Sequence, residues 1–164
     1  MKHNIEQLAA AYLATLAKTE ERRRYWNEES KAFILQYLTN IAAQYPLPWK
    51  AGANETVEGL EAVFIALEHS PSGIAERTPF NLVHKLKAGA FLSFSQNRNG
   101  QVVIWMSFPF IDGLQDETPK KETFETVEPE EIDEALIIRN IEKFLIELAQ
   151  WENDAIDTIG FVRK

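Results

Sequence analysis

Apolar residues recur at helical spacing through the first quarter of the chain. Two such series are present: Ile5, Leu8, Tyr12 and Leu16, then Trp26, Phe33, Tyr37 and Ile41. Intervals of three, four or seven residues place the members of each series on one face of an α-helix. Neither proline nor glycine occurs before Pro46, so the pattern predicts helix over residues 4–45.

The segment between the two series is almost wholly polar. One continuous helix over residues 4–45 would be about 60 Å long at 1.5 Å per residue, whereas a domain of this size has a radius of gyration of about 15 Å. We therefore expect two helices with a break near Thr19, or one helix that projects and is covered by a partner. The first interpretation puts a bend between Lys18 and Asn27.

The clearest local signal further along is a β-hairpin. Alternating apolar segments near 90–96 and 101–108 flank Asn97-Arg98-Asn99-Gly100, and an Asn-Gly pair accepts the positive φ of a tight turn. The sequence therefore predicts two antiparallel strands, with positive φ at Asn99 and Gly100. Alternation along the second strand directs Trp105 to one face, and Ile104, Met106 and Phe108 to the other.

Secondary structure is also predicted for four other segments between the N-terminal helices and the C-terminal region. Residues 60–67 are rich in strand-forming residues, so a strand is favoured over a short helix. Residues 70–73 are read as a turn. For residues 80–87 a short helix capped at Thr78-Pro79 is favoured, with a strand as the alternative. Residues 112–128 form an acidic loop with a short strand over 123–127.

The C-terminal region predicts a long amphipathic helix over residues 129–156. Its apolar stripe consists of Ile137, Ile141, Phe144, Leu148, Trp151 and Ala155. Phe144 and Trp151 are bulky for a two-helix coiled coil, so packing on a sheet is favoured. The predicted fold class is α+β in one domain over 1–164: helices at about 4–45, a small antiparallel sheet within about 57–127, and the C-terminal helix packed on it.

The composition narrows the choice of partners. The chain has 164 residues, 45% of them hydrophobic, and a formal net charge of −8. The negative charge disfavours binding to nucleic acid or to an anionic membrane surface. The only basic cluster, Arg22-Arg23-Arg24, is flanked by glutamates at helical spacing. We expect it to be exposed and internally paired through Glu20–Arg24 and Arg24–Glu28.

The absence of cysteine and of export signals points to the cytoplasm. The sequence contains no cysteine, so disulfides, thiolate metal sites and cysteine nucleophiles are excluded. The N-terminus lacks the apolar stretch of a signal peptide. The longest apolar run, 102–106, is far shorter than the roughly 20 residues that span a bilayer.

The sequence contains no recognisable catalytic motif. Phosphate-binding loops, dinucleotide fingerprints, serine elbows and paired-histidine zinc helices are all missing. Its three histidines, His3, His69 and His84, are far apart in the chain. Carboxylate pairs such as Glu130/Glu134 and Glu142/Glu147 are interpreted as solvated. We therefore expect no metal, no cofactor and no catalytic residues.

Two functional hypotheses follow from these observations. The first is a non-catalytic interaction or assembly protein that forms a homodimer, with a further protein partner allowed, because several apolar stripes need cover. The second is a small-ligand binder or enzyme with a pocket at the aromatic hairpin. The residues proposed for that pocket are His84, Phe94, Trp105 and Phe108.

Overall fold

The computed structural model describes residues 3–111, 113 and 119–154 and has the predicted α+β fold. The N-terminal helical region comprises α1 (Ile5–Tyr25), a π-helical turn (Trp26–Ser30) and α2 (Lys31–Gln44). Eight strands follow: β1 (Trp49–Asn54), β2 (Ala62–Leu67), β3 (Ser70–Arg77), β4 (Leu82–Ala88), β5 (Phe91–Gln96), β6 (Val102–Ser107), β7 (Phe110–Ile111) and β8 (Lys121–Val127). A 3₁₀ turn (Pro129–Glu131) precedes α3 (Glu134–Asn153).

The N-terminal region is one continuous helical path, so the predicted break near Thr19 is wrong. Tyr25, Trp26 and Lys31, at the junctions of the three segments, all keep right-handed helical φ and ψ. The irregularity is the π-helical turn, which begins at Trp26. The projecting helix, our second interpretation, describes the structure correctly, and its cover by a partner stays a prediction.

The strands form two antiparallel sheets with related pairing. The larger has the order β1-β2-β5-β6-β8, and the smaller has the order β3-β4-β7. In chain order β3 follows β2, β4 leads into β5, and β7 follows β6. The smaller sheet, called the β arm below, therefore prolongs the pairing of the three central strands beyond the larger sheet.

The β arm corrects two predictions. Residues 70–73 belong to strand β3 rather than to a turn, and residues 82–88 form strand β4 rather than a helix. The reason lies in the connection between them. Thr78 and Asn81 close a hairpin turn, in which Thr78 N–H donates to the Asn81 carbonyl at 2.8 Å, instead of capping a helix.

The other strand predictions are confirmed. Strand β2 lies within residues 60–67, and β8 includes the short strand expected at 123–127. Of the preceding acidic loop, residues 112 and 114–118 lie outside the described residues. Strand β1 was not predicted, because Lys50, Gly52 and Asn54 have low strand propensity.

The central hairpin is confirmed in position and pairing, with one correction at its turn. Strand β5 pairs with β6 from Phe91↔Ser107 to Gln96↔Val102. Only Gly100 has positive φ, at 87°, and Asn99 does not. Instead, the Asn99 side-chain oxygen accepts the Gln101 N–H at 2.9 Å, which stabilises the turn without a left-handed asparagine.

This turn carries the first testable prediction, that Gly100→Ala destabilises the fold more than Gly73→Ala. Both glycines have φ near +85°, so alanine costs about 1–2 kcal/mol of backbone strain at either site. At Gly100 an added Cβ would lie 2.6 Å from Arg22 Cβ and 3.0 Å from the Thr19 carbonyl oxygen. At Gly73 it would meet nothing within 4 Å.

Urea denaturation measures the difference between these variants. We expect Gly100→Ala to lower the free energy of unfolding by about 1–3 kcal/mol more than Gly73→Ala, because overpacking adds to the strain. Equal losses would show that the hairpin turn does not press against α1.

The core lies between one face of the larger sheet and the two helices α2 and α3. Its fully buried side chains include Ile34 and Leu38 of α2, Ile104 and Met106 of β6, and Phe144 of α3. Ile137 and Ile141 of the predicted C-terminal stripe belong to the same cluster, with Leu148 and Trp151 packed against it. Ala155, the last member of the stripe, lies outside the described residues.

Candidate functional site

The N-terminal part of α1 exposes large apolar side chains and extends away from the folded body. None of the 21 residues of α1 is buried. Five large residues expose between 46% and 71% of their surface: Ile5, Leu8, Tyr12, Leu13 and Leu16. We call these five residues the α1 stripe.

The α1 stripe points to the same side of the helix as the residues that face the core. Continuing from Leu16, helical intervals of three or four residues lead through Thr19, Arg23, Trp26 and Ser30 to Ile34 and Leu38. Trp26, Ser30, Ile34 and Leu38 are buried in the body. The stripe therefore lies on the core-facing side of the helix. At the stripe itself, however, no described part of the chain covers that side.

The chemistry of α1 differs from that of an ordinary exposed helix. From Gln7 to Ala17 the chain contains no charged residue, although every residue there is exposed. Alanine, the strongest helix former, supplies Ala9, Ala10, Ala11, Ala14 and Ala17. High helix propensity explains how α1 persists without tertiary packing, and the lack of charge leaves its apolar surface unprotected from association.

Arg22 and Arg23 fix the base of α1 to the central hairpin. Arg22 forms a bidentate ion pair with Glu128, with Nε to Oε1 at 2.7 Å, and its Nη1 donates to the Asn99 carbonyl at 3.2 Å. Arg23 Nη2 donates to the Arg98 carbonyl. The expectation that both arginines are largely exposed is therefore wrong, because the hairpin turn uses them as anchors.

Arg24 behaves as predicted for a solvated arginine. It is exposed and pairs with Glu28 four residues later, at 2.8 Å, and with Glu21. The predicted Glu20–Arg24 pair is replaced by the Glu21–Arg24 pair. These contacts raise the pKa of Arg24, first through its hydrogen bond to Glu21.

Glu128 is the acceptor at which the N-terminal helix, the hairpin and β8 meet. Besides Arg22, it accepts a hydrogen bond from Gln101 Nε2 at 2.7 Å. The Arg22 bond, followed by the Gln101 bond, lowers the pKa of Glu128 below its ordinary value of 4.5. Its stabilising contribution is therefore present above pH 4.5 and is lost as the pH falls through the lowered value.

A buried polar cluster holds the π-helical turn to the sheet. Glu61 is 6% exposed, and its Oε1 accepts from Trp26 Nε1 at 3.1 Å and from Lys31 Nζ at 3.0 Å. The Glu61 hydrogen bond is the main reason that the pKa of Lys31 is raised. Glu61, Trp26 and Lys31 are called the Glu61 cluster below, and they fix the direction in which α1 leaves the body.

A well-formed concavity lies between α2, α3 and the segment joining α2 to β1. It has a volume of about 640 Å³, which is within the range of ligand sites. Its wall on the α2 side is formed by Tyr37, Ile41, Gln44, Tyr45, Pro46, Leu47 and Trp49, and its wall on α3 by Glu134, Ile138, Ile141, Glu142 and Leu145. We call it the α2–α3 groove.

The charge in the α2–α3 groove is negative. Among the described residues that line it, Glu134 and Glu142 are the charged ones. Tyr37 Oη donates to Glu134 Oε1 at 3.0 Å, and desolvation followed by this bond raises the pKa of Tyr37. Helix α2 ends at Gln44 and α3 begins at Glu134, so the negative end of one helix dipole and the positive end of the other both lie at the groove, and its negative charge comes from the two carboxylates.

The structure does not bring the four residues proposed for a hairpin pocket into one site. Phe94 and Phe108 are in the hydrophobic core, exposed by 0% and 3% respectively. Trp105 lies on the opposite face of the sheet, as alternation predicts. His84 is exposed on strand β4 of the arm, opposite Ala75. A ligand role for these four residues stays a prediction.

The outer face of the larger sheet carries half-exposed aromatic side chains. Phe91 and Trp105 form an edge-to-face pair with ring centroids 5.0 Å apart. Trp105 Nε1 donates to Ser95 Oγ at 3.0 Å. The ring of Phe64 lies over Gly52, where an added Cβ would be 2.9 Å from Cζ. This contact explains why a glycine occurs within strand β1, since its lack of a side chain leaves room for the ring.

The β arm is a second exposed apolar element. At its tip Phe80 is 95% exposed, and Leu82, Val83 and Leu86 of β4 are exposed by 42–48%. Strand β4 also carries Lys85 and Lys87, which pair with Glu76 and Glu152. The signal that could have located this strand is the alternation around His84.

The described residues contain no arrangement of three or more histidines and carboxylates able to hold a metal ion. His3 and His69 are both exposed. Within residues 3–111, 113 and 119–154, no helix is both long and apolar enough to cross a membrane.

Comparisons with known proteins give no indication of the function. No family model, no curated protein and no solved structure matches the chain.

Proposed function

We propose that the protein is a non-catalytic assembly domain of the cytoplasm, which forms a homodimer through α1. The observation that carries this proposal is the phase of the α1 stripe. An uncharged apolar stripe that continues the core-facing side of a helix needs cover, and the described residues of the same chain supply none.

An antiparallel pair of α1 helices would cover both stripes at once. A two-fold axis midway between Ala10 and Ala11 puts Ile5 opposite Leu16 of the partner subunit. The same axis puts Leu8 opposite the partner's Leu13. It also puts the large Tyr12 opposite the small Ala9, so bulky and small side chains alternate across the contact. Such self-complementarity is the condition for a closed two-fold interface.

The area available supports a stable dimer. Two copies of the five-residue stripe would together bury on the order of 1,000 Å², the lower bound for a specific interface. The formal net charge of −8 opposes association, but the contact from Gln7 to Ala17 is free of charge.

Charged substitutions in the stripe test the dimer. We expect the parent chain to have twice the mass of 18.8 kDa in light scattering at micromolar concentration. Leu8→Glu with Leu13→Glu would bury unpaired carboxylates and weaken association by more than about 100-fold. Ala10→Glu with Ala14→Glu, on the opposite side of the same helix, is the matched control and leaves the dimer intact.

The absence of cysteine makes the geometry testable as well. A chain with both Leu8→Cys and Leu13→Cys should form an intermolecular disulfide under mild oxidation, whereas either single substitution should not. A parent chain that scatters as 18.8 kDa would contradict the proposal. Equal effects of the two glutamate pairs would contradict the assigned face.

A further inference from the structure

The α2–α3 groove has the dimensions of a helix-binding site. Its α3 wall runs from Glu134 to Leu145, a distance of about 16 Å at 1.5 Å per residue. The α2 wall adds Tyr37, Ile41 and Gln44 at intervals of four and three. Two helices separated by a trough of this length can accept a third helix of about three turns.

Apolar exposure continues along one wall of the groove and beyond the other. Tyr45 and Leu47, which line the groove, are 50% and 43% exposed, and Ile146, which lies outside the lining beside Glu142, is 65% exposed. A small molecule confined to the cavity would leave Ile146 in water. An amphipathic helix lying along the groove would cover both rims, which favours a polypeptide occupant.

The negative charge of the groove favours a polypeptide that carries positive charge. Glu134 and Glu142 are eight residues apart on α3, about 12 Å along its axis, and the part of the chain that the structure describes places no cation in the lining. A partner with lysine or arginine beside its apolar stripe would pair with both carboxylates. Helix α1 of a second copy fits less well, because its stripe is uncharged, Glu6 at one end would repel the carboxylates, and only Lys18 beyond the other end could pair with one of them.

We infer that the α2–α3 groove binds a basic amphipathic helix of another protein. The apolar face of that helix packs on Ile41, Ile138 and Leu145, and its basic flanks meet Glu134 and Glu142. This site is separate from the α1 stripe, and it stands whether or not α1 mediates dimerisation.

The test uses a defined peptide and the full chain. The probe is a 14-residue peptide of leucine and lysine, with leucine at i, i+3, i+4 and i+7 spacing, titrated by calorimetry. We expect micromolar binding that Glu142→Lys weakens at least 10-fold. Glu68→Lys changes the net charge equally on an exposed loop, so it should change the affinity less than 2-fold. Leu145→Ser, which keeps the carboxylates, should weaken binding by a similar factor of about 10.

Four further probes identify the occupant. A peptide of the same composition in scrambled order, or one with glutamate in place of lysine, should not bind. Equal weakening by Glu142→Lys and Glu68→Lys, or binding of the scrambled peptide, would reduce the interaction to net charge and overturn the inference. Binding of dodecyltrimethylammonium or of a peptide of residues 3–18, without binding of the leucine–lysine peptide, would also overturn it.

The same titration in the Leu8→Glu/Leu13→Glu variant separates the two proposals. Peptide affinity within 2-fold of the parent chain would show that the groove acts without α1. Loss of binding in that variant, with circular dichroism unchanged, would overturn the claim that the two surfaces are separate.

Discussion

Replacing Glu61 with leucine is expected to lower the free energy of unfolding by about 2–4 kcal/mol, because the buried Trp26 indole loses its acceptor and Lys31 keeps only its longer, 3.4 Å bond to Glu55. Trp26 Nε1 would lose its 3.1 Å bond and Lys31 Nζ its 3.0 Å bond. The indole is fully buried, and the lysine side chain is only 23% exposed. Urea denaturation measures this loss directly, provided that the slope of the free energy of unfolding against urea concentration is the same in both chains.

The lysine partner supplies the control for this prediction. Lys31→Met removes a charge but leaves Glu61 bonded to Trp26, so we expect a smaller loss of about 1–2 kcal/mol. In the double variant part of the Glu61→Leu loss should be recovered, because no ammonium remains beside the leucine that replaces its shorter-bonded partner. Strictly additive losses would show that the Glu61 cluster is not a coupled unit.

The pH dependence of stability provides a second measurement on the same cluster. The Glu61 hydrogen bond raises the pKa of Lys31 above its ordinary value of 10.5. The contribution of Lys31 is therefore fully present below pH 10.5 and is lost as the pH rises through the raised value. Glu61→Leu should flatten this alkaline decline, while leaving the acid decline due to Glu128 unchanged.

The N-terminal helices show how far periodicity carries a prediction. The spacing of Ile5, Leu8, Tyr12 and Leu16 identified the helix and its apolar face correctly. A break near Thr19 would be needed only if every apolar stripe were buried within one chain, and the α1 stripe is exposed. The structure instead continues the helix through Thr19, since Arg22 and Arg23 hold it to distant parts of the chain, namely the Glu128 carboxylate and the carbonyls of the hairpin turn.

Errors in the sheet have a similar origin in long-range contacts. Thr78-Pro79 has the local chemistry of a helix start, yet the following residues pair with β3 as a strand. Strand β1 has weak intrinsic propensity, and its place beside β2 depends on the contact between Gly52 and Phe64. Neither the pairing of β4 with β3 nor the contact between Gly52 and Phe64 can be predicted from the residues next to each strand. The Asn-Gly turn at Gly100 depends on adjacent residues, and its position is predicted correctly.

The α2–α3 groove was beyond reach of sequence reasoning for the same reason. Tyr37 and Ile138 are about 100 positions apart, and each is typical of an ordinary amphipathic helix. Glu134 and Glu142 were read as solvated, and both are exposed. Their significance comes from the apolar walls that α2 brings beside them.

Truncating Phe144 to alanine is expected to lower the free energy of unfolding by about 3–5 kcal/mol, the cost of a large cavity in a packed core. Its side chain is fully buried, and it joins α3 to the cluster that includes Ile104 and Leu38. The sequence left two interpretations of its stripe, a coiled-coil seam or packing on a sheet, and the structure supports the second.

The matched control for Phe144→Ala is Phe80→Ala at the tip of the β arm. Phe80 is 95% exposed, so its truncation should change stability by less than about 0.5 kcal/mol. Both variants should be compared by urea denaturation at two protein concentrations tenfold apart. Phe144 packs within its own chain, so the difference in free energy between the two variants should be the same at both. If that difference instead grew with dilution, Phe144 would lie at an interface between subunits, and the assignment of dimerisation to α1 would have to be abandoned.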